Sequence, residues 1–277
     1  RAKRDADVAP VECRHHQRLL MASVARGGDD LLVLVLRDLT ELRRLEGARR
    51  DFMAAISHEF KTPLTSILGF SETVVDGLIE RDPALAKSFV EKIGRQAERL
   101  SDLVRDVLAL SRLEQGVWDM RPERCDLRRL AETIREDHLQ AAAETNVTVH
   151  LDVAVDLHMW IDQEVLRQII GNLISNAIRY NHRGGSVWLR LQRDDRALSI
   201  VVEDTGVGIP AEHHGRIFER FYRVDAHRNS QTGGTGLGLA IVKQFVELLG
   251  GTIALRSDAD GTRFEVDIPT INAVANA

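Results

Sequence analysis

Cysteine is nearly absent from this chain: Cys13 and Cys125 are the two among 277 residues. They lie far apart without metal-ligand spacing, which excludes a disulfide scaffold and a cysteine-built zinc site and fits a reducing compartment. Long apolar runs are missing as well. The longest, Leu31 to Leu36, falls far short of the roughly 20 residues that cross a bilayer, and no signal-peptide pattern opens the chain. Because the first residue is Arg1 rather than Met, we expect a fragment whose upstream part includes any membrane anchor. Basic excess is absent too: the net charge is −5, so there is no electrostatic case for binding nucleic acid. The pairs His15-His16 and His213-His214 lack partners at ligand spacing, which argues against a histidine-built metal site.

What is present is globular composition, 44% hydrophobic and 29% charged, in a chain long enough for two ordinary domains and a leader. The leader ends in Leu31 to Leu36 after the turn Gly27-Gly28-Asp29-Asp30, which reads as one buried strand whose partners lie upstream. From Asp38 the pattern turns helical. Leu39, Leu42, Leu45 and Phe52 carry an apolar stripe with no proline and one glycine, Gly47, into a helix whose seam is Met53, Ile56, Phe60, Pro63, Ile67, Phe70 and Val74. His58 lies about 200° from that seam and so faces water. This helix should fade near Asp76-Gly77. A second helix begins near Pro83 and runs through Val90, Ile93, Ala97, Leu100, Val104 and Val107. An isolated helical hairpin leaves its seam exposed, so two copies should pair into a four-helix bundle, making a homodimer.

After Gly116 to Arg124 the pattern becomes mixed α and β. Expected are a helix over 127–144, a strand over 147–151, a helix over 162–180, strands over 187–191 and 198–203, and a helix over 237–249. A strand pair over 252–256 and 263–268 follows, joined by a turn at Asp258 to Gly261. The fold class is therefore α+β in two domains: the helical hairpin, then an α/β sandwich.

Three features of the second domain bear on chemistry. Asn172 and Asn176 stand four apart on an otherwise apolar helix, so both amides share one face and need partners. Asp204-Thr205-Gly206-Val207-Gly208 follows an apolar strand; a carboxylate at the end of a buried sheet accepts from an exocyclic amino group, and glycines allow close backbone approach. Gly233-Gly234-Thr235-Gly236-Leu237-Gly238 opens a helix, where exposed N–H groups and the dipole favour phosphate. It follows no strand and lacks the Lys-Ser/Thr ending of the usual phosphate loop. Between the last two, the pair Phe218 and Phe221 with Arg216, Arg220, Arg223 and Arg228 suits a hinged lid. Each motif alone is also consistent with a structural role: a buried amide, a tight turn, a surface loop.

Taken in order, His58-Glu59 with Thr62-Pro63, Asn172 and Asn176, Asp204 to Gly208, Phe218 to Arg223 and Gly234 to Gly238 resemble the H, N, G1, F and G2 boxes of sensor histidine kinases. The resemblance covers about residues 45 to 270, and Leu45 to Phe52 is similar to the phosphate-regulon members. It implies a C-terminal remnant of a PAS-like sensor domain at 1–38 and a signalling helix at 39–50. A dimerisation and phosphotransfer domain would follow at 51–116, a linker at 117–124, a GHKL-type ATP-binding domain at 125–270 and a tail at 271–277.

The implied chemistry is transfer of the γ-phosphoryl of Mg2+-ATP to His58, with Glu59 taking the ring's other proton, and onward transfer to an aspartate of a response regulator receiver domain. Asp204 would meet the adenine amino group and Asn176 would hold Mg2+. Asn172, Arg179 and Tyr180 would support the nucleotide, with Gly206 and Gly208 shaping its pocket. Arg223 would reach the γ-phosphate, and Gly234, Thr235, Gly236, Leu237 and Gly238 would hold the triphosphate. Thr62, one turn beyond His58, implies a phosphatase activity toward the regulator. The alternative is a catalytically silent dimeric ATP-binding scaffold or a phosphatase-dominant relative; a silent scaffold predicts a damaged box, and no box is damaged. Chaperone and mismatch-repair ATPases of the same nucleotide fold place a glutamate base where Asn172 stands, and an amide cannot serve as that base. The full-length protein is expected at the inner membrane, with this portion cytoplasmic.

Overall fold

Asp38 and Thr40 mark where sheet gives way to helix. In the computed structural model, which describes residues 8–26, 32–224 and 234–270, Asp38 Oδ1 accepts from Thr40 N at 2.9 Å, satisfying one of the free donors of a helix start. Helix α1 then spans Thr40–Thr73. The chain divides into two units between Thr62 and Pro63.

The first unit carries an antiparallel sheet of β1 (Val8–His15), β2 (Arg18–Arg26) and β3 (Leu32–Asp38), in that order. Two expectations are corrected here. The leader is three strands, not one awaiting partners upstream: β2 pairs with β3 from Leu20↔Asp38 to Arg26↔Leu32 and with β1 along its other edge. Nor is β3 buried, since Val33 to Leu36 are 41–60% exposed. An apolar run without alternation reads as covered on both faces, and in this chain both sets of side chains reach the surface. The turn at Gly27 to Asp30, and Leu31, lie outside the described residues. The sheet is tied to the start of α1: Leu39 N donates to Leu19 O at 2.7 Å, Leu19 N donates to Thr40 Oγ1 at 2.8 Å, and Arg43 pairs with Glu12.

In the second unit α1 ends as expected near Gly77. A π-type turn, Val74–Leu78, contains Gly77 at φ +87°, a backbone state that glycine tolerates. The short α2 (Ile79–Arg81) leads to Asp82, whose carboxylate accepts from Leu85 N and caps α3 (Pro83–Glu114), with Pro83 in its first turn. Phe70 and Phe89 meet across the hairpin with ring centroids 5.1 Å apart. Leu64, Leu68, Val104 and Leu108 remain 41–55% exposed.

The α/β part is a five-stranded sheet in the order β5-β7-β8-β10-β9, built from β5 (Thr148–Val153), β7 (Ser186–Arg193), β8 (Ala197–Asp204), β9 (Thr252–Asp258) and β10 (Gly261–Pro269). Only β5 and β7 run parallel. Alternation along β7 buries Val187, Leu189 and Leu191. The opposite face carries the ladder Arg190–Glu203–Arg263. The core is closed by α4 (Leu127–Asp137), α6 (Gln163–Arg179) and α7 (Gly238–Leu248), with eight apolar residues of α6 buried.

The expected helix over 127–144 is broken at His138 (φ −105°, ψ 1°), giving α4 and then α5 (Leu139–Thr145). The sequence reading also missed a ribbon, β4 (Glu123–Asp126) against β6 (His158–Ile161). It takes Glu123 and Arg124 out of the expected linker. Four-residue strands are too short to show a period. Asp162 locks this corner: its Oδ1 caps α6 through Glu164 N and Val165 N, and its Oδ2 accepts from Arg121 N at 2.9 Å.

Candidate functional site: a histidine helix and a nucleotide-binding constellation

In the first unit, His58 is exposed on α1 while Ile56, two residues earlier, is buried. That is the 200° separation expected of the seam. Glu59 is half-buried beside it, and Thr62 Oγ1 donates to His58 O at 3.3 Å, which places its hydroxyl one turn along from the imidazole.

In the second unit the tertiary fold gathers residues up to 66 positions apart around the C-terminal end of α6. Asn172 and Asn176 are both half-buried on its one non-apolar face. Asn172 Nδ2 donates to Gln168 O at 2.8 Å, and Asn172 stands so close to the start of α7 that a Cβ on Gly238 would lie 2.6 Å from its Oδ1. Arg179 and Tyr180 close the helix. A Cβ on Gly234 would come within 2.8 Å of the Arg179 guanidinium and 3.5 Å of the Tyr180 hydroxyl. These glycines are thus places where backbone must approach side chain closely. Burial, and the nearness of Arg223 and Arg99, pull the Arg179 pKa below its ordinary value despite the attraction of Tyr180 and Asp102.

Asp204 ends β8. Its Oδ1 accepts from Gly206 N at 2.8 Å and Thr262 N at 3.3 Å. Burial nevertheless pushes its carboxyl up to about 6, because loss of water outweighs those two donors, and the neighbouring Glu203 adds to the rise. Gly206 and Gly208 have no room for side chains: a Cβ would lie 2.4 Å from Tyr180 O and 1.6 Å from Asp258 O respectively, and Gly208 also has φ +66°. The turn is pinned by a network that sequence reading missed. Thr205 Oγ1 accepts from Ser186 N and donates to Asn181 Oδ1, while Asn181 Nδ2 donates to Ser186 O. Thr205 lay inside the Asp-Thr-Gly motif and was the available signal.

The segment bearing Phe218 and Phe221 folds onto the glycine-rich loop. Phe218 meets Phe264 edge-on at 6.4 Å. Phe221, at φ +60°, donates its N–H to Gly236 O at 2.8 Å, and a Cβ on Gly236 would lie 2.8 Å from the Phe221 backbone. Thr235 Oγ1 accepts from Leu237 N at 3.2 Å and donates to Asp106 Oδ2 at 3.0 Å. Leu237 is fully buried. Arg228 and Gly233 lie outside the described residues. Asp106, on α3, had not been singled out from sequence; half-buried in an amphipathic stripe, it carried no motif.

The chain thus carries an exposed histidine beside an acid on α1 and, in the second unit, an α/β sandwich whose amide helix, aspartate turn and glycine-rich helix start converge. Comparison with known proteins places it. Residues 48–116 match the family "His Kinase A (phospho-acceptor) domain", and residues 161–272 match "Histidine kinase-, DNA gyrase B-, and HSP90-like ATPase". The phosphate regulon sensor protein PhoR of Pseudomonas aeruginosa is 37% identical over 236 residues, 84% of this chain and 52% of that protein. The sensor-like histidine kinase SenX3 of Mycobacterium tuberculosis is 35% identical over 257 residues, 92% of this chain and 61% of that protein.

Among solved structures, histidine kinase AdeS of Acinetobacter baumannii matches with TM-score 0.62 at 28% identity, over 78% of this chain and 98% of that one. ShkA in complex with AMPPNP matches with TM-score 0.59 at 28% identity, over 81% and 47%. Histidine kinase ThkA in complex with response regulator TrrA shares the fold, with TM-score 0.62 at 21% identity over 95% and 79%. The chain belongs to the sensor histidine kinase family and carries both its phospho-acceptor and its ATPase domain. It spans about half the length of the curated relatives it matches. Among the described residues no helix is long and apolar enough to cross a membrane.

Proposed function

We propose that this chain is a kinase core that phosphorylates its own His58 from Mg2+-ATP and passes the phosphoryl group to an aspartate of a response regulator. One observation carries the reading: an exposed histidine beside an acid on a helical hairpin occurs in the same chain as the convergent Asn172, Asp204 and Gly234-to-Gly238 elements. The AMPPNP-bound ShkA neighbour supports an ATP-type ligand.

Asp204 receives the adenine amino group, Tyr180 lies beside the base, and Gly206 and Gly208 let it approach the backbone. The N–H groups at the start of α7, with Arg179 and Arg223, neutralise the phosphates. Asn176, half-buried on α6, would offer Mg2+ a hard amide oxygen, and the ion would offset the charge of the phosphates. The His58 nitrogen lone pair then attacks the γ-phosphorus. A P–N bond forms, the bond to the bridging oxygen breaks, and ADP leaves with that electron pair. Glu59 accepts the ring's other proton. Thr62, exposed one turn along, positions water against a regulator phosphoaspartate.

Residues 8–38 act as the end of an upstream PAS-like sensor domain, and the exposed Leu64, Leu68, Val104 and Leu108 are covered by a second copy in a four-helix bundle. The full-length protein is held at the inner membrane in this reading, with this portion in the cytoplasm.

The test is incubation of the purified chain with γ-labelled ATP and Mg2+ beside His58→Gln. Acid-labile, alkali-stable label in the parent alone is expected. Label that persists in His58→Gln overturns the assignment of the acceptor.

A further inference from the structure

The adjacent histidines His213 and His214, which show no metal-ligand spacing in the sequence, reach partners in opposite directions along the chain. His214 Nε2 donates to Ile209 O at 2.7 Å, in the turn that follows Asp204. His213 Nδ1 lies 2.6 Å from the Tyr222 hydroxyl; with the ring proton on Nε2, which faces Glu212 Oε1 at 3.6 Å, Nδ1 accepts from the phenol. Arg216 covers the face of Tyr222, its guanidinium carbon 4.4 Å from the ring centroid. Tyr222 is preceded by Phe221, whose φ of +60° is a strained state for a bulky residue and whose N–H reaches Gly236 O at 2.8 Å. Such a state persists only where its surroundings impose it. Between Gly208 and Phe221 the only regular element among the described residues is the 3-10 turn Ala211–His213, so side-chain bonds rather than a backbone ladder set the path of this segment.

We propose that His213 and His214 are positioning residues for the triphosphate: they form a strut from the Asp204 turn to Tyr222 and, by fixing Phe221 in its left-handed state, set where Gly236 and the glycine-rich loop stand relative to the adenine end of the site. This role rests on the reading of that loop as the phosphate seat. Both rings act through protein groups, His214 through Ile209 O and His213 through the Tyr222 hydroxyl, and their effect on a ligand passes through Phe221 and Gly236. The end of the strut on the turn is fixed independently, since Ile209 N donates to Ser257 Oγ at 2.8 Å and Gly206 N donates to Asp204 Oδ1 at 2.8 Å. Loss of either histidine bond therefore leaves the adenine end in place and frees the phosphate end. A nucleoside triphosphate spans both ends, so it then meets a loop that is no longer preorganised and must order it on binding. A nucleoside monophosphate occupies the adenine end and does not bear that cost.

The experiment is equilibrium binding of ATP and of AMP, each with Mg2+, to the full chain, to Tyr222→Phe, His213→Leu and their double variant, to His214→Leu, and to the conservative His213→Asn and His214→Gln, with Asp204→Asn as the site control. Loss of one bond is expected to weaken ATP by about three- to tenfold and to leave AMP unchanged. Tyr222→Phe and His213→Leu break the same bond, so the double variant binds ATP no more weakly than either single one. Asparagine places an amide oxygen near the position of Nδ1, and glutamine an amide N–H near that of Nε2, so both conservative variants bind ATP as the parent does. Four results overturn the strut: parental ATP affinity in Tyr222→Phe, a loss for AMP equal to that for ATP, additive losses in the double variant, or conservative variants as weak as the leucine ones. Tyr222→Phe removes only the hydroxyl oxygen and carries the test if the leucine variants fail to fold. If no chain binds ATP, the site reading fails and the strut with it. If binding is lost in Asp204→Asn but Tyr222→Phe matches the parent, the strut alone fails.

Discussion

Replacing Asp204 by asparagine should stabilise the ATP-binding domain while destroying what the domain is for. The carboxyl is raised from the ordinary 3.8 to about 6, so between those values the native state binds a proton that the unfolded chain does not. Stability contributed by this group therefore falls as pH rises through that window, and the full cost is present at pH 7. At about 1.4 kcal/mol per tenfold the shift corresponds to about 3 kcal/mol, and because Asp204 is only half-buried, solvent screening brings this to about 1–2 kcal/mol. Asparagine keeps an oxygen for Gly206 N and Thr262 N and carries no charge to desolvate. For a domain of this size 1–2 kcal/mol raises Tm by roughly 3–8 °C.

All three tryptophans, Trp118, Trp160 and Trp188, lie in the linker and α/β region, so thermal unfolding followed by their fluorescence reports that domain. The variant should melt above the parent at pH 7.5, the gap should close near pH 4, and ATP binding should be lost throughout. A variant no more stable than the parent at pH 7.5, or a gap that does not narrow with acid, refutes the reasoning. In the parent, ATP binding should weaken as pH falls below about 6, because a protonated carboxyl no longer offers the adenine amino group a charged acceptor.

Asp162→Ala removes the cap of α6 and the acceptor of Arg121 N together, and should cost about 2 kcal/mol in urea unfolding; a change below about 0.5 kcal/mol would show that the corner is held otherwise. Gly208→Ala puts a Cβ 1.6 Å from Asp258 O at φ +66° and should abolish ATP binding in titration, whereas Gly47→Ala, with nothing within 4 Å, should stabilise α1 by up to about 1 kcal/mol. His58→Gln should lose all phosphohistidine label yet bind ATP as the parent does, since His58 is exposed on α1. Thr62→Ala should leave autophosphorylation intact and slow dephosphorylation of the regulator about tenfold or more, read by loss of label from the phosphorylated regulator; an unchanged rate ends the phosphatase proposal.

Much of the architecture was legible because local rules repeat. Three-four spacing located both hairpin helices, the break fell at Gly77 because only glycine takes its φ of +87° without strain, and Pro83 and Asp162 read as helix starts because proline suits a first turn and the helix pattern begins at Asp162. Motif order alone placed His58, Asn172, Asp204 and Gly234 in one family. Where the reading failed, the determinant was not local. Apolar Val33 to Leu36 read as buried, yet burial depends on what lies against a strand, and here the residues are exposed. Strands of four residues at 123–126 and 158–161 carry no period and exist because each pairs with the other.

The candidate site divides along the same line. Sequence by itself determined which residue types were available, because amides four apart share a helix face and glycines before a helix expose its N–H groups. Only the tertiary structure decided their setting. It buried Asp204 enough to raise its carboxyl to about 6, closed Gly234 on Arg179 and Gly238 on Asn172, and brought Asp106 across 129 positions to Thr235. Desolvation and long-range contact are properties of the assembled fold, and no residue carries them in its neighbours along the chain.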